Sequence, residues 1–322
     1  MSACRTIRYF SLLFVERIVG KHANLTTRHR DPIDIYIECA STLALSLRAS
    51  QSTLAVLTND KAFVTQRIKF LGLPDVFEVH EFSFSRSVPQ GIPFYSAHFK
   101  LDLFRFFGAN KNPDPICLLD GDTVLLRPLQ IERPSDEQLF VYNIVSQLSQ
   151  DRSSEKLASD IRLVGGKTTN PVSWYGGEFI LGCPSAFNRL ADKVDEIWPN
   201  YLKHIPDVHH VGDEMVVTAA LGLLQAEGMK LIDIAETKLI GRWWTARTNS
   251  VQVRFTVAAA SNIIHLPSDK VFLSQQCRKT PFSTQEFLLE YQQYARQKLL
   301  RRRLTNPFLN AIRGTKKFVG RI

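Results

Sequence analysis

Apolar and polar positions along the chain follow two periods. Short apolar runs of strand length stand at 34–39, 53–58, 76–82 and 116–119. Between them lie stretches with helical spacing at 41–49, 61–71 and 96–107. Gly72, with Pro74 beyond it, closes the second of these helices, and Gly108 closes the third. Strands alternating with helices predict a parallel, doubly wound sheet. The second half is less regular. It predicts strands over 140–145, 179–181 and 263–265 and a polar loop over 146–172. Phe187, Leu190, Val194, Ile197 and Tyr201 share one face of an amphipathic helix, and a buried helix runs from Asp213 to Leu224. Ser283 and Glu286 have capping-box spacing before a last helix, with Leu288, Tyr291, Ala295 and Leu299 on one face. Residues 1–31 are basic and weakly patterned and read as a partly helical lead-in. The expected division is therefore 1–31, a body over 32–282, and a basic amphipathic helix and tail over 283–322.

Charge sharpens that division. The net charge is +9, yet residues 291–322 hold nine Lys or Arg and no acid, which leaves 31 basic against 31 acidic side chains in the rest. A neutral body argues against an extended nucleic-acid groove. In the tail, Phe308, Leu309, Ile312 and Phe318 interleave with Arg313, Lys316 and Lys317, a mixture suited to an anionic membrane surface; a solvated charged helix end is the alternative. The five cysteines have no paired spacing and read as buried thiols of a reducing compartment. Phe10 to Val15 is too short an apolar patch for a membrane span. The expected location is cytoplasmic, peripheral on the inner face of the membrane.

Candidate chemistry begins where the most apolar run ends. Ile116-Cys117-Leu118-Leu119 is followed by Asp120-Gly121-Asp122, then Thr123-Val124-Leu125-Leu126. In an extended chain residues i and i+2 project to one side, so the two carboxylates can share a hard cation at the lip of a sheet. Asp-Gly between apolar runs is equally a turn signal, and both readings stay open. In doubly wound sheets ligands bind beyond the carboxyl ends of strands, where this motif falls.

Four blocks in order give the chain a family resemblance. Leu118-Leu119-Asp120-Gly121-Asp122-Thr123-Val124 is similar to an Asp-x-Asp motif. Trp174-Tyr175-Gly176-Gly177-Glu178-Phe179-Ile180-Leu181-Gly182 is similar to a glycine-containing aromatic strand. Gly212-Asp213-Glu214-Met215-Val216-Val217 matches an acidic helix start, and Ile264-His265-Leu266-Pro267-Ser268-Asp269-Lys270 a late histidine block. The chain resembles metal-dependent, retaining GT-A glycosyltransferases of family 8, with a secondary likeness to family 6. The resemblance implies an α/β fold with a GT-A-like doubly wound mixed sheet flanked by helices. It implies Mn2+ or Mg2+ on Asp120, Asp122 and His265. A nucleotide-sugar donor, UDP-linked, would lie against Asp120, Gly121, Asp122, Lys100, Gly177 and Lys270. Glu214 would face the anomeric centre and Asp213 the sugar hydroxyls, with Glu178 the alternative carboxylate. The acceptor would be a glycan or a lipid-linked sugar in polysaccharide or lipooligosaccharide synthesis. The sequence departs from the family at Ser268, which replaces a glycine, at Lys270, one residue early, and at Cys39-Ala40-Ser41, where an acidic base-contacting loop would follow a first strand at 34–39.

Other readings remain at this stage. Asp120-Gly121-Asp122-Thr123-Val124 also fits a haloacid-dehalogenase-like phosphatase, and the basic tail on an inactive body would make a membrane or nucleic-acid adaptor. Trp243-Trp244 reads either as a sugar-stacking pair or as core packing, and His209-His210 carries no expected chemistry.

Overall fold

The computed structural model describes residues 7–16, 25, 30–148, 154–166, 172–235, 237–246 and 251–318, with side chains of the last helix as far as Arg302. The chain opens on a strand, β1 (Arg8–Leu12), inside the segment read as a lead-in. A helix, α1 (Pro32–Arg48), occupies the stretch where the pattern predicts a strand over 34–39. Asp31 caps it, accepting from the Ile33 backbone N–H at 2.9 Å, and Pro32 fills the first turn. The misleading alternation comes from burial on two sides. Ile33, Ile37, Ala40 and Leu43 face one core while Ile35 and Cys39 face a second, so apolar residues recur more often than a one-faced helix needs.

The next elements keep the expected order: β2 (Leu54–Thr58), α2 (Lys61–Phe70), β3 (Phe77–Glu81), then a short 3-10 helix at Tyr95–Phe99 and α3 (Lys100–Gly108). The buried β4 (Ile116–Leu119) passes through a tight turn into β5 (Thr123–Leu125), and β6 (Gln138–Asn143) follows. The loop expected over 146–172 contains a helix, α4 (Ser154–Gly165), whose buried stripe is Leu157, Ile161 and Val164. Residues 149–153 and 167–171 of that loop lie outside the described residues. Then come β7 (Tyr175–Gly182), longer than the expected 179–181, α5 (Pro184–His204), α6 (Asp213–Ala226), β8 (Lys230–Asp233), β9 (Ile240–Arg242), α7 (Phe255–Ala258), β10 (Ile263–His265), α8 (Lys270–Gln276) and α9 (Thr284–Phe318).

The main sheet is seven-stranded and mixed, in the order β3-β2-β1-β4-β7-β6-β8, with helices packed against it. The four strands from β3 to β4 run parallel, as the strand–helix alternation predicts, and β7 is antiparallel to both β4 and β6, so the sheet is mixed, as expected from the resemblance. The chain steps outward from β1 through β2 to β3, then returns to β4 on the other side of β1. That reversal is a topological switch point, and Asp120 stands directly beyond β4 beside it. Because β1 lies inside the sheet, the body begins before residue 32, and Cys39-Ala40-Ser41 lie within α1 rather than after a first strand.

A second, three-stranded sheet, β5-β10-β9, carries its own core. Val124, Ile264, Trp243 and Phe272 pack there with Phe287, Tyr291 and Ala295 of α9, so the first turns of the expected tail belong to the body. Asp269 anchors them. Fully buried, it accepts from Tyr291 Oη at 2.7 Å and Lys298 Nζ at 2.6 Å. Burying a carboxylate without such partners would be costly. Cys39, Cys117, Cys183 and Cys277 are buried free thiols, and burial pushes their pKa values up; Cys4 lies outside the described residues. Among the described residues no helix is long and apolar enough to cross a membrane.

Candidate functional site

The site forms where the two sheets meet. Asp120 closes a tight turn, its carbonyl accepting from Thr123 N at 3.1 Å and Thr123 Oγ1 at 2.7 Å. Asp120-Gly121-Asp122 is therefore a turn and an acidic pair at once. Asp122 then leads into β5, which runs antiparallel to β10 with Thr123 opposite His265. The Asp122 carbonyl also accepts from Leu266 N at 3.1 Å. This pairing brings in a histidine 143 residues further along: His265 Nε2 lies 3.1 Å from Asp122 Oδ1. One ligand atom each from Asp120, Asp122 and His265 falls within 4.8 Å of the others. Oxygen and imidazole donors in that arrangement suit a hard or borderline divalent cation.

Three fixed cations surround the acids. Lys100, at the start of α3, places Nζ 2.7 Å from Asp120 Oδ1, 2.9 Å from Asp213 Oδ2 and 2.9 Å from the Gly177 carbonyl. Lys270, at the start of α8, places Nζ 2.6 Å from Asp122 Oδ2. Burial lowers both lysine pKa values, but the facing carboxylates outweigh it and hold both above the ordinary lysine value. The third cation, Arg242, comes from β9. Its Nε lies 2.9 Å from Glu178 Oε1, and its Nη2 donates to Glu178 Oε2 at 3.1 Å and Glu214 Oε1 at 3.0 Å.

The acids divide by these partners. Burial and the neighbouring Asp122 charge raise the Asp120 pKa against the pull of Lys100. Burial works the same way on Asp122, but Lys270 and His265 outweigh it and hold that carboxyl well below its ordinary value. Burial lowers the His265 pKa, yet the Asp122 and Glu178 carboxylates raise it on balance to about 9. Glu178 is fully buried, and Arg242 and His265 overcome desolvation to hold its pKa at about 2. Its Oε1 lies 3.2 Å from His265 Nδ1. That ion-pair approach puts negative charge behind the ring while Nε2 faces Asp122.

The paired glycines of β7 make this density possible. A Cβ on Gly177 would sit 2.5 Å from Asp213 Oδ2 and 3.0 Å from Lys100 Nζ, and one on Gly176 would sit 2.1 Å from Glu178 Oε2. Gly177→Ala must push Asp213 off Lys100. We expect a loss of about 1–3 kcal/mol, read as a lower urea midpoint at unchanged slope. At Gly121 a Cβ would meet only Ser11 Oγ at 3.7 Å, so the approach to the acidic pair is open there.

Every expected site residue thus falls in or beside one network, and Lys270, a residue early in the resemblance, still reaches Asp122. Glu214 and Asp213 open α6, with Glu214 Oε2 accepting from Trp174 Nε1 at 3.1 Å. His210 Nε2 is 3.7 Å from the same oxygen, so the second of the paired histidines does border the site; His209 instead pairs with Asp160. Trp243 packs in the second core, 5.2 Å from the Phe255 ring, not against an open face. Sequence reasoning missed Arg242 and Trp174 as partners of Glu214. The signal for Arg242 was a single charge in the apolar run Leu239-Ile240-Gly241-Arg242-Trp243-Trp244.

No protein-family model matches this chain, and no curated protein matches its sequence. Solved structures do match. The galactosyltransferase LgtC in complex with donor and acceptor sugar analogues aligns at 11% identity and a TM-score of 0.48, covering 84% of this chain and 95% of that one. An active-site mutant of LgtC aligns at 13% identity and a TM-score of 0.46, covering 81% and 87%. The apo bifunctional glycosyltransferase WbbM aligns at 11% identity and a TM-score of 0.46, covering 82% of this chain and 46% of its own.

Proposed function

We propose that this protein is a divalent-cation-dependent glycosyltransferase. It takes a sugar from a nucleotide diphosphate donor, a UDP-sugar, and passes it with retention to a glycan or lipid-linked acceptor in cell-surface polysaccharide or lipooligosaccharide synthesis. The observation that carries this reading is the meeting of Asp120, Asp122 and His265 at a topological switch point. Charge supports it. Asp120, Asp122, Glu178, Asp213 and Glu214 face Lys100, Lys270 and Arg242; with His265 protonated, as its raised pKa holds it without an ion, the excess is one negative charge, and it becomes two when the imidazole gives up its proton to bind a cation. A divalent cation balances that excess.

A cation held by Asp120, Asp122 and His265, Mn2+ before Mg2+ because of the imidazole, would supply Lewis-acid neutralisation of the departing diphosphate. Lys100 and Lys270 stand on the same acids and add fixed positive charge where the phosphates gather. Both oxygens of Glu214 are held by donors, Arg242 and Trp174. That makes it a fixed anion suited to a sugar carbon turning positive, as carboxylates act in glycosidases. Asp213, held by Lys100, orients sugar hydroxyls. The basic excess of residues 291–322 sets the enzyme against an anionic membrane surface on the cytoplasmic side.

A thermal-shift panel tests the reading. A nucleotide sugar present at a hundred times its Kd adds about 2.7 kcal/mol of stability. We expect a UDP-sugar to raise the Tm with Mn2+ present and far less without it. No shift with any nucleotide sugar in the presence of Mn2+ contradicts the proposal.

A further inference from the structure

Arg242 and His265 are in-register neighbours on the parallel strands β9 and β10. Neighbours in register project to one face of a sheet, and here both side chains reach across to Glu178 on β7 of the other sheet. The two contacts to Glu178 Oε1, at 2.9 and 3.2 Å, are ion-pair approaches off the hydrogen-bonding axis; the aligned bonds of Arg242 are those from Nη2 to Glu178 Oε2 and to Glu214 Oε1. One guanidinium thus serves two carboxylates on different elements, both through Nη2, while Nε stands 2.9 Å from the first of them. Glu178 has no exposed surface, and Gly176 leaves the space its carboxylate fills. The chain of contacts is continuous: Asp122 to His265, His265 to Glu178, Glu178 to Arg242, Arg242 to Glu214, and Glu214 to Trp174.

We propose that Arg242 is a positioning residue that ties the cation side of the site to the sugar side: it fixes Glu178 behind His265 and Glu214 beside the reacting carbon, without touching cation or sugar. The inference rests on the cation-dependent reading above. It goes beyond it by making cation affinity depend on a residue that is not a ligand.

The test uses the full chain with Arg242→Gln, Arg242→Lys, Glu178→Gln and the Glu178→Gln/Arg242→Gln double variant. Two measurements do not depend on turnover. The first is affinity for Mn2+ alone. The second is the indole N–H resonance of Trp174, one of four tryptophans in the chain, which reports the placement of Glu214. Loss of an outer-shell partner weakens metal binding roughly 10–100-fold. We expect about tenfold weaker Mn2+ binding in Arg242→Gln and in Glu178→Gln, and no further loss in the double variant, because both changes break one link. The Trp174 resonance moves in Arg242→Gln. Arg242→Lys keeps the fold and recovers part of the Mn2+ affinity, but its kcat falls well below wild type while KM for donor stays close, because the shorter lysine ends before the Nη2 position from which Arg242 reaches both carboxylates. If Arg242→Gln fails to fold, Arg242→Lys carries the same measurements. A folded Arg242 variant with wild-type Mn2+ affinity, wild-type kcat and an unmoved Trp174 resonance overturns the proposal. If the wild-type chain itself takes up no Mn2+, the cation reading fails separately, and the Trp174 resonance decides the Arg242 link: movement supports it and an unmoved resonance overturns it.

Discussion

Asp122→Asn is expected to lower the proposed sugar transfer on the order of 1000-fold, comparable to the upper range for removing one preorganised electrostatic partner. Asp122 meets His265 Nε2 at 3.1 Å and Lys270 Nζ at 2.6 Å, and it supplies one of three candidate ligands. A neutral amide cannot balance those two cations. The variant therefore loses stability as well, by about 3–5 kcal/mol, the usual result of removing one partner of a buried pair. Asp120→Asn separates the two effects. Asp120 has a side chain 29% exposed against 8% for Asp122, so its replacement costs less stability while still removing a ligand. Transfer assays and urea denaturation of both variants measure the two losses. Transfer near the wild-type rate in both would remove the cation from the mechanism.

Glu214→Gln is expected to lower kcat on the order of 100-fold or more and to leave KM for the donor within a few-fold. The amide oxygen of glutamine still accepts a hydrogen bond from Trp174 or Arg242, so the framework around it survives. The lost quantity is the negative charge, which matters as the sugar carbon becomes positive rather than in the bound donor. Steady-state kinetics at saturating acceptor give the split. A fall confined to KM would make Glu214 a ground-state contact and move the anionic role elsewhere.

Much of the frame was legible because its signals are local. The apolar run to Leu119 stops at Asp120, the stripe from Phe187 to Tyr201 has one period, and Gly108 ends α3's pattern. The misreadings have two causes: burial on two sides in α1, and polar or basic neighbours that mask β1 and α4. Helix α1 lies between two cores, so Ile33, Ile35 and Ile37 are all buried and imitate a strand. β1 is central in the sheet, yet it begins with Arg8 and contains Ser11, which mask it within a basic segment. α4 keeps a three-residue stripe that polar neighbours dilute. In the site, the acids and lysines were legible as residues, but their pairing was not. Nothing in sequence spacing ties Lys100 to Asp213 or Arg242 to Glu214; those contacts follow from how two sheets meet. His265 was legible only through an ordered set of motifs, and the antiparallel pairing of β10 with β5 supplies the physical reason for its place.

The most direct measurement is a titration of Mn2+ followed by electron paramagnetic resonance, with the wild-type chain and His265→Ala compared at one pH. The account predicts one bound ion in the wild type and binding at least about tenfold weaker in the variant, since the imidazole is a ligand rather than a neighbour. Equal binding in the two proteins would contradict it.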